Sequence, residues 1–262
     1  MKIAIVDYRL SEECRHALSE EGFHVMKTEA DNRLSPAISG HADMLFCSIG
    51  GALVTTRGYF EAHRGFFERL RAALPSLELI TTCDNVSKTY PHDAKINLLF
   101  TGDKVYANTA TASAEALALA EAIGCSLVKV KQGYPACTSL IASSTAITAD
   151  RGMARVFSRE GLNVCLIKDG GILLPPYEYG FIGGTCGIFR DKIYFCGALE
   201  YHPDGEKIAA ACRDAGFTPI SLGTGALLDV GGILFLEEDV DEYRKHRDKK
   251  QAENAEERIP DI

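Results

Sequence analysis

Short apolar segments alternate with amphipathic segments along most of the chain, a pattern typical of α/β proteins. Residues 2–7 predict a buried strand, residues 11–21 a helix that stops at Gly22, and residues 23–28 a second strand. Strand-helix-strand openings are common in dinucleotide-binding folds. The loop Asp7-Tyr8-Arg9-Leu10, however, lacks the glycines that let a backbone approach a pyrophosphate. The opening therefore does not predict a nucleotide site.

A repeated pattern extends this interpretation to the rest of the chain. Each repeat has a small or polar residue, a short apolar strand, a turn and a second apolar strand. The repeats are residues 43–54, 97–108, 139–150, 185–196 and 224–236. The turns predicted within them are short and polar or glycine-rich, at Gly50-Gly51, Gly102-Asp103, Arg190-Asp191 and Gly231-Gly232.

Four of these hairpins precede a predicted helix and a further strand. The helices are residues 59–73, 112–123, 151–160 and 204–215, and the strands are residues 77–81, 126–131, 163–168 and 218–221. The fifth hairpin lacks this continuation, which the N-terminal helix and strand supply. We therefore predict one domain over residues 1–236, a ring of five strand-strand-helix-strand units closed by pairing of the chain's two ends. The alternative is an ordinary α/β protein in which strand-turn-strand segments recur without five-fold order.

Composition narrows the classes of function. The net charge of -8 disfavours nucleic-acid binding, because an acidic surface repels phosphate backbones. The chain has nine cysteines but no Cys-x-x-Cys pair, which disfavours a zinc site. Their odd number and the absence of a signal-like N-terminus predict reduced thiols in the cytoplasm. No apolar run is long enough for a membrane span, no cofactor or metal motif is present, and the charged tail at 237–262 predicts a solvated helix or a disordered end.

The five-unit pattern resembles the pentein fold, also called the guanidino-group-modifying-enzyme fold, an α/β propeller with five-fold pseudo-symmetry. That superfamily includes arginine and dimethylarginine deiminase-type hydrolases, amidinotransferases and a non-catalytic ribosome anti-association factor. The resemblance covers roughly residues 1–236 at the level of the repeat pattern. The fold by itself is compatible with both an enzyme and a non-catalytic binding protein.

Two short motifs are similar to those of the superfamily's hydrolases. His41-Ala-Asp43 resembles the His-x-Asp strand, and Cys137-Thr-Ser139 resembles the strand that carries the nucleophile. The resemblance implies catalytic roles for His41, Asp43 and Cys137. Arg190-Asp191 resembles the Arg-Asp that precedes a guanidinium-binding turn in the superfamily, which implies a substrate-binding role for Asp191. The match requires a circular shift of the units, and no acidic residue stands before Thr224, where the superfamily has an acid that supports the histidine.

Aligning the repeats suggests which side chains face a common channel. Their first residues are all polar: Asp43, Asn97, Ser139, Thr185 and Thr224. Two positions earlier, on the same face of a strand, lie His41, Lys95, Cys137, Gly183 and Leu222. We expect Asn97, Lys95, Ser139 and Thr185 to contribute to substrate binding, and Lys95 to favour the Cys137 thiolate. Cys186 is the rival nucleophile, but its register predicts that it faces away from the channel.

Two functions follow from these residues. The first is a cysteine-dependent hydrolase or transferase acting on a small cationic guanidino or amidine compound. The second is a non-catalytic pentein that binds a ligand or a macromolecular partner, which the absent supporting acid favours. Residues 172–179 predict either a connecting strand and turn or a loop that covers the site.

Overall fold

Residues 1–238, which a computed structural model describes, contain five three-stranded sheets and one two-stranded sheet. The strands are β1 (Lys2–Val6), β2 (His24–Lys27), β3 (Phe46–Ile49), β4 (Ala52–Thr56), β5 (Leu79–Thr82), β6 (Leu99–Phe100), β7 (Lys104–Ala107), β8 (Ser126–Lys129), β9 (Ser139–Ala142), β10 (Thr145–Thr148), β11 (Asn163–Leu166), β12 (Ile172–Leu173), β13 (Cys186–Phe189), β14 (Lys192–Phe195), β15 (Thr218–Ser221), β16 (Leu227–Leu228) and β17 (Leu234–Glu237). The helices are α1 (Glu12–Glu20), α2 (Ala42–Leu45), α3 (Arg57–Ala62), α4 (Arg64–Ala73), α5 (Ala114–Ala122), α6 (Pro135–Thr138), α7 (Arg151–Arg159) and α8 (Gly205–Asp214), with 3₁₀ turns at Gly183–Thr185 and Leu199–Tyr201.

The five three-stranded sheets share one topology. In each, an outer strand runs antiparallel to a central strand, and the central strand runs parallel to a third. The sheets are β3-β4-β5, β6-β7-β8, β9-β10-β11, β13-β14-β15 and β17-β1-β2. A helical segment links the central strand to the third strand in every sheet, as parallel neighbours require a crossover. The α/β class is confirmed. The helix predicted at 59–73 is two helices that meet at His63.

The hairpin predicted over residues 224–236 is wrong. β17 pairs antiparallel with β1, with Lys2 opposite Glu237, whereas β16 pairs in parallel with β12. Between them, the backbone N–H groups of Val230 and Gly232 both donate to the Gly184 carbonyl, which ties this segment to a neighbouring sheet. The Gly231-Gly232 pair therefore forms a loop leading into β17 and does not join two paired strands.

Local sequence explains how the helices begin and end. Ser113 Oγ accepts a hydrogen bond from Ala116 N at the start of α5, and Asp150 Oδ1 accepts from Gly152 N and Met153 N at the start of α7. Helices α1, α5, α7 and α8 each precede a glycine with positive φ, as expected of a helix C-terminus. Central strands carry the most buried residues, and β1 has Ile3, Ala4, Ile5 and Val6 fully enclosed.

Three helical turns lie where continuous strands were predicted. Helix α2 precedes β3, helix α6 precedes β9, and the 3₁₀ turn Gly183–Thr185 precedes β13. No helix within residues 1–238 is both long and apolar enough to cross a membrane. From residue 239 onward the predicted tail lies outside the described residues, and the division into a domain at 1–236 and a tail stays a prediction.

Candidate functional site

Helices α2 and α6 are anchored by the same hydrogen bond in two different sheets. Thr55 Oγ1 donates to the carbonyl of Leu45 at 2.9 Å, and Thr148 Oγ1 donates to the carbonyl of Thr138 at 2.8 Å. In both cases a threonine of the central strand holds the last residue of the helical turn. The two hydrogen bonds therefore hold each helical turn in an equivalent position relative to its sheet.

Asp43, Asn97 and Cys137 come together between these turns. Cys137 Sγ donates to Asp43 Oδ2 at 2.8 Å, and Asn97 Nδ2 donates to Cys137 Sγ at 3.0 Å. Asn97 Nδ2 also contacts the Asp43 carbonyl at 3.1 Å, while its Oδ1 accepts from Ala136 N. Three residues singled out from the sequence thus form one network, in which Asn97 orients the thiol.

The electrostatics of this network keep the thiol protonated. Burial, followed by the negative charges of Asp43 and Asp229, raises the pKa of Cys137 well above its ordinary value. Burial and the neighbouring Asp229 also raise the pKa of Asp43 to about 7. The expectation that Lys95 lowers the thiol pKa is therefore not met, because the carboxyl of Asp43 contacts the sulfur and that of Asp229 also acts on it.

His41 lies beside a carboxylate that the sequence did not indicate. Its Nδ1 is 3.7 Å from Asp229 Oδ1, and both side chains are almost fully buried. Asp229 Oδ2 accepts from Phe181 N at 2.8 Å and Oδ1 accepts from Gly231 N at 3.1 Å. Burial lowers the pKa of His41 to about 4 and raises the pKa of Asp229 to about 6. His41 is consequently a neutral imidazole near neutral pH, with an acid next to it.

Glycines allow this close approach. A Cβ at Gly184 would lie 1.9 Å from Asp229 Oδ1, and a Cβ at Gly231 would lie 2.2 Å from His41 Cβ. Gly231 also has a φ of 71°, a conformation that disfavours other residues, and its carbonyl accepts from Asp43 N at 3.0 Å. These two glycines are therefore part of how His41, Asp43 and Asp229 are held together.

His41, Cys137 and Asp229 line one cavity of about 340 Å³, a size suited to a small molecule. The loop after β12 forms part of its wall through Leu174, Tyr177 and Glu178. Residues 172–179 were predicted to form either a connecting strand and turn or a loop that covers the site. The segment has a short strand, Ile172–Leu173, and a turn whose residues line the cavity.

A second buried carboxylate, Asp93, lies in the wall of the same cavity. Asp93 Oδ2 accepts from the Tyr134 hydroxyl at 2.8 Å, while its Oδ1 is enclosed without a hydrogen-bond partner among the described residues. Burial, then the bond to Asp93, raises the pKa of Tyr134, which keeps the phenol a donor. Nothing in the repeat pattern pointed to Asp93 or Tyr134, since both lie in irregular segments.

A second cavity, of about 280 Å³, is lined by Asp43, Ser139 and Cys186. Cys186 Sγ lies 3.4 Å from the Ile182 carbonyl, and burial raises the pKa of this thiol also. Asp43 therefore belongs to the wall of one cavity while its hydrogen-bonded partner Cys137 faces the other. Cys186 does not line the cavity that His41 and Asp229 share.

The remaining predicted site residues are not brought to the first cavity. Thr185 Oγ1 donates to the Ile182 carbonyl, and Asp191 lies in the exposed turn between β13 and β14. Lys95 lines neither cavity, and Thr224 is exposed beside Glu13 of α1. Thr185 lies in a 3₁₀ turn, where the two-residue alternation used to align the repeats does not hold.

Asp229 could have been found from the sequence. It stands in Leu227-Leu-Asp-Val-Gly-Gly232, a carboxylate among apolar residues followed by two glycines. The predicted hairpin placed this segment in paired strands, so that no acidic residue was predicted next to His41. The structure fills that position with Asp229, five residues after Thr224.

Solved structures show the class of fold. A cysteine-to-serine mutant of DDAH from Pseudomonas aeruginosa, complexed with citrulline, has a TM-score of 0.55 at 13% identity, covering 85% of this chain and 91% of that one. A cysteine-to-serine agmatine deiminase from C. jejuni with substrate bound has a TM-score of 0.53 at 9% identity, covering 89% and 92%. An amidinotransferase of the saxitoxin biosynthetic pathway from Microseira wollei has a TM-score of 0.50 at 13% identity, covering 83% and 78%.

The protein thus has the pentein fold. The chain belongs to the DUF6873 family, described as a family of unknown function, whose family model matches residues 5–234. No curated protein matches it in sequence. At identities of 9–13%, this similarity shows the fold alone.

Proposed function

We propose that the protein is a cysteine-dependent hydrolase or transferase acting on a small guanidino or amidine compound. The observation that carries the proposal is the shared cavity of Cys137, His41 and Asp229, with Asp43 hydrogen-bonded to the thiol. We further propose that the five sheets surround a central channel as a pseudo-symmetric propeller, and that the protein acts in the cytoplasm without a cofactor.

The carboxylates create a site for a cation. Burial is the largest cause of the raised pKa values of Asp43 and Asp229, and the positive charge of Arg9 offsets it only in part at Asp229. A guanidinium or amidinium group offers the planar, charged N–H donors that carboxylates bind best. Such a ligand would lower the pKa of both aspartates and of the Cys137 thiol, since it supplies the positive charge that this part of the cavity lacks.

The reaction we propose proceeds through a thioether-like adduct. The Cys137 thiol passes its proton to Asp43 as sulfur bonds to the central carbon of the guanidinium. The carbon–nitrogen bond then breaks, and the departing ammonia or amine takes up the proton that the thiol gave. In a hydrolase, neutral His41 accepts a proton from a water that attacks the same carbon, the thiol is released, and the product is a urea or amide. In a transferase, an amine takes the place of the water.

Labelling with 2-chloroacetamidine tests the proposal. This cation carries the amidine group and loses chloride when a thiol attacks it, whereas 2-chloroacetamide is a neutral control of similar shape. We expect the amidine to modify Cys137 faster than the amide does, with the Asp229→Asn variant losing that preference. Mass spectrometry of all nine cysteines provides the readout, and the exposed Cys83 serves as an internal reference. Slow modification of several cysteines with no preference for the cation contradicts the proposal.

A non-catalytic binding protein is the second candidate. It is favoured by the raised pKa of Cys137, whose thiol donates to Asp43 as an ordinary hydrogen-bonding group. Under this alternative, Cys137→Ala retains the ligand affinity of the wild type, and the wild type shows no turnover of any compound that it binds.

A further inference from the structure

The turn after β1 contains a buried ion pair that the proposed reaction does not use. The Asp7 side chain is fully enclosed, whereas that of Arg9 is 34% exposed. Arg9 Nε donates to Asp7 Oδ1 at 2.9 Å, Nη2 donates to Oδ2 at 2.6 Å, and the Arg9 backbone N–H donates to Oδ1 at 2.7 Å. A guanidinium that binds both oxygens of a carboxylate forms a strong and directional pair. The Asp7–Arg9 pair is therefore a fixed point beside the end of β1.

The same guanidinium holds the segment that leads to His41. Its Nη1 donates to the Pro36 carbonyl at 2.9 Å, and its Nη2 donates to the Ala37 carbonyl at 2.8 Å. A Cβ at Gly40 would lie 2.9 Å from the carboxylate of the ion pair, so the backbone passes directly against it. Because His41 follows Gly40, the position of the imidazole depends on this pair.

The charges around His41 give the pair a second effect. Burial is the largest cause of the low pKa of His41, followed by the charge of Asp7, which raises the pKa, and that of Arg9, which lowers it. The same two charges act in the same directions on Asp229, where burial is again the largest cause. Arg9 thus offsets a negative charge that would otherwise attract a proton to the imidazole.

Other groups near His41 cannot replace this cation. Besides Asp229, the titratable side chains that line the cavity with His41 are Asp93, Tyr134, Cys137, Tyr177, Glu178 and Tyr179. None of these side chains can carry a positive charge. The positive charge that acts on His41 comes from outside the cavity wall, from Arg9.

We infer that Arg9 is a positioning residue for His41: paired with Asp7, it holds the segment that carries the imidazole and supplies the charge that keeps it neutral. This inference rests on the proposed function, in which neutral His41 accepts a proton from water. Without Arg9, the buried Asp7 carboxylate would lack its cation, and a proton would bind more readily to the group around His41.

A second ion pair of the same form provides a matched control. Arg33 Nε donates to Asp31 Oδ1 at 2.9 Å, its Nη2 donates to Oδ2 at 2.5 Å, and its backbone N–H donates to Oδ1 at 2.9 Å. The two arginines are also similarly exposed, at 34% and 36%. The charges that act most on His41 are nevertheless those of Asp7 and Arg9. Arg33→Gln therefore removes an equivalent pair without removing the charge beside His41.

Proton NMR of the ligand-free, full-length protein tests the inference. The chain has seven histidines, and the resonance missing from a His41→Gln variant identifies His41. We expect the pKa of His41 to rise from about 4 in the wild type to about 5 or higher in Arg9→Gln. It should stay at the wild-type value in Arg33→Gln and in Asp7→Asn/Arg9→Gln, which removes both charges. Arg9→Lys keeps the charge but not the forked geometry, so it should also keep His41 neutral.

An unchanged pKa of His41 in Arg9→Gln overturns the inference, as does an equal rise in Arg33→Gln. If Arg9→Gln does not fold, recovery of folding in Asp7→Asn/Arg9→Gln supports the role of the charge, and failure of both variants overturns it. The NMR measurement needs neither ligand nor turnover. A wild type that shows no preference for 2-chloroacetamidine therefore contradicts the proposed reaction, whereas the pKa of His41 separately decides the role of Arg9.

Discussion

Cys137 and Cys186 are both buried, both precede or begin an outer strand, and both have thiol pKa values raised by burial. They differ in what surrounds them. Cys137 contacts the side chains of Asp43 and Asn97 in a cavity that also holds His41 and Asp229. Cys186 lies near the backbone carbonyls of Ile182 and Gly183, in the second cavity.

This difference shows that burial of a cysteine says little about its chemistry. Free cysteine commonly behaves as a small apolar residue in a protein core, and Cys186 fits that description. Cys137 is set apart by two side chains, since Asp43 accepts a hydrogen bond from its thiol and Asn97 donates one to its sulfur.

The largest effect is expected from alanine at each cysteine in turn. Cys137→Ala should reduce turnover of a bound guanidino compound by about 10⁴-fold or more, because the nucleophile is removed. Cys186→Ala should retain activity within a few-fold and lose about 1–2 kcal/mol of stability through the cavity that it leaves. Assays of ureido product, with urea unfolding of each variant, provide the measurements. The reverse pattern would make Cys186 the nucleophile.

Next in size is the pH dependence due to Asp43, which lies in the wall between the two thiols. Its pKa is raised to about 7, whereas an aspartate in the unfolded chain titrates near 3.8. Between these values the folded protein holds a proton that the unfolded chain releases, so this contribution to stability is present at low pH and is lost as the pH rises toward 7. We expect the free energy of unfolding of the wild type, minus that of Asp43→Asn, to fall by up to about 4 kcal/mol from pH 4 to pH 7.5.

Taking this difference is necessary because His41 acts in the opposite direction. Its pKa is lowered to about 4, so the unfolded chain binds the proton more readily and the contribution of His41 to stability grows as the pH rises toward 6.5. Asp169→Asn is the control for a surface charge. Parallel pH profiles for the wild type and Asp43→Asn would show that the carboxyl is not perturbed by its surroundings.

A smaller effect is expected from the loop that separates the cavities. Gly231→Ala places a methyl group against His41, whereas Gly216→Ala adds one at another positive φ with open space around it. We expect Gly216→Ala to cost about 1 kcal/mol through backbone strain alone. Gly231→Ala should cost about 1–3 kcal/mol more and should weaken ligand binding. Urea unfolding measures both variants. Equal losses in their free energy of unfolding would mean that the His41 side chain moves away from the added methyl group at little cost.

The smallest effect is expected from Asp191→Asn. Asp191 is in an exposed turn and lines neither cavity, so stability should change by less than about 0.5 kcal/mol and affinity for guanidino compounds should not change. A clear loss of affinity would restore Asp191 to the site and would require a different arrangement of the loop.

Repeat periodicity predicted the regular elements well, since strands of the same apolar pattern recur in five sheets of one topology. It also pointed to His41, Asp43, Asn97 and Cys137, of which Asp43, Asn97 and Cys137 are hydrogen-bonded together. The alignment failed at Thr185, which lies in a 3₁₀ turn, because the period there changes from two to about three residues. Asp93 and Tyr134 were beyond reach, since a contact between two irregular segments leaves no periodic signal.

The pairing of β1 with β17 has a consequence for how the protein acquires its site. The segment that contains Asp229, Gly231 and β17 is synthesised long after residues 1–45. Asp229 and Gly231 lie against His41, and β17 completes the sheet that contains β1 and β2. The cavity therefore cannot be complete until nearly the whole described chain has left the ribosome. Contacts this distant in sequence slow folding. We expect the N-terminal segments to keep their apolar edges exposed until β17 pairs with β1, so that this pairing limits the rate of refolding.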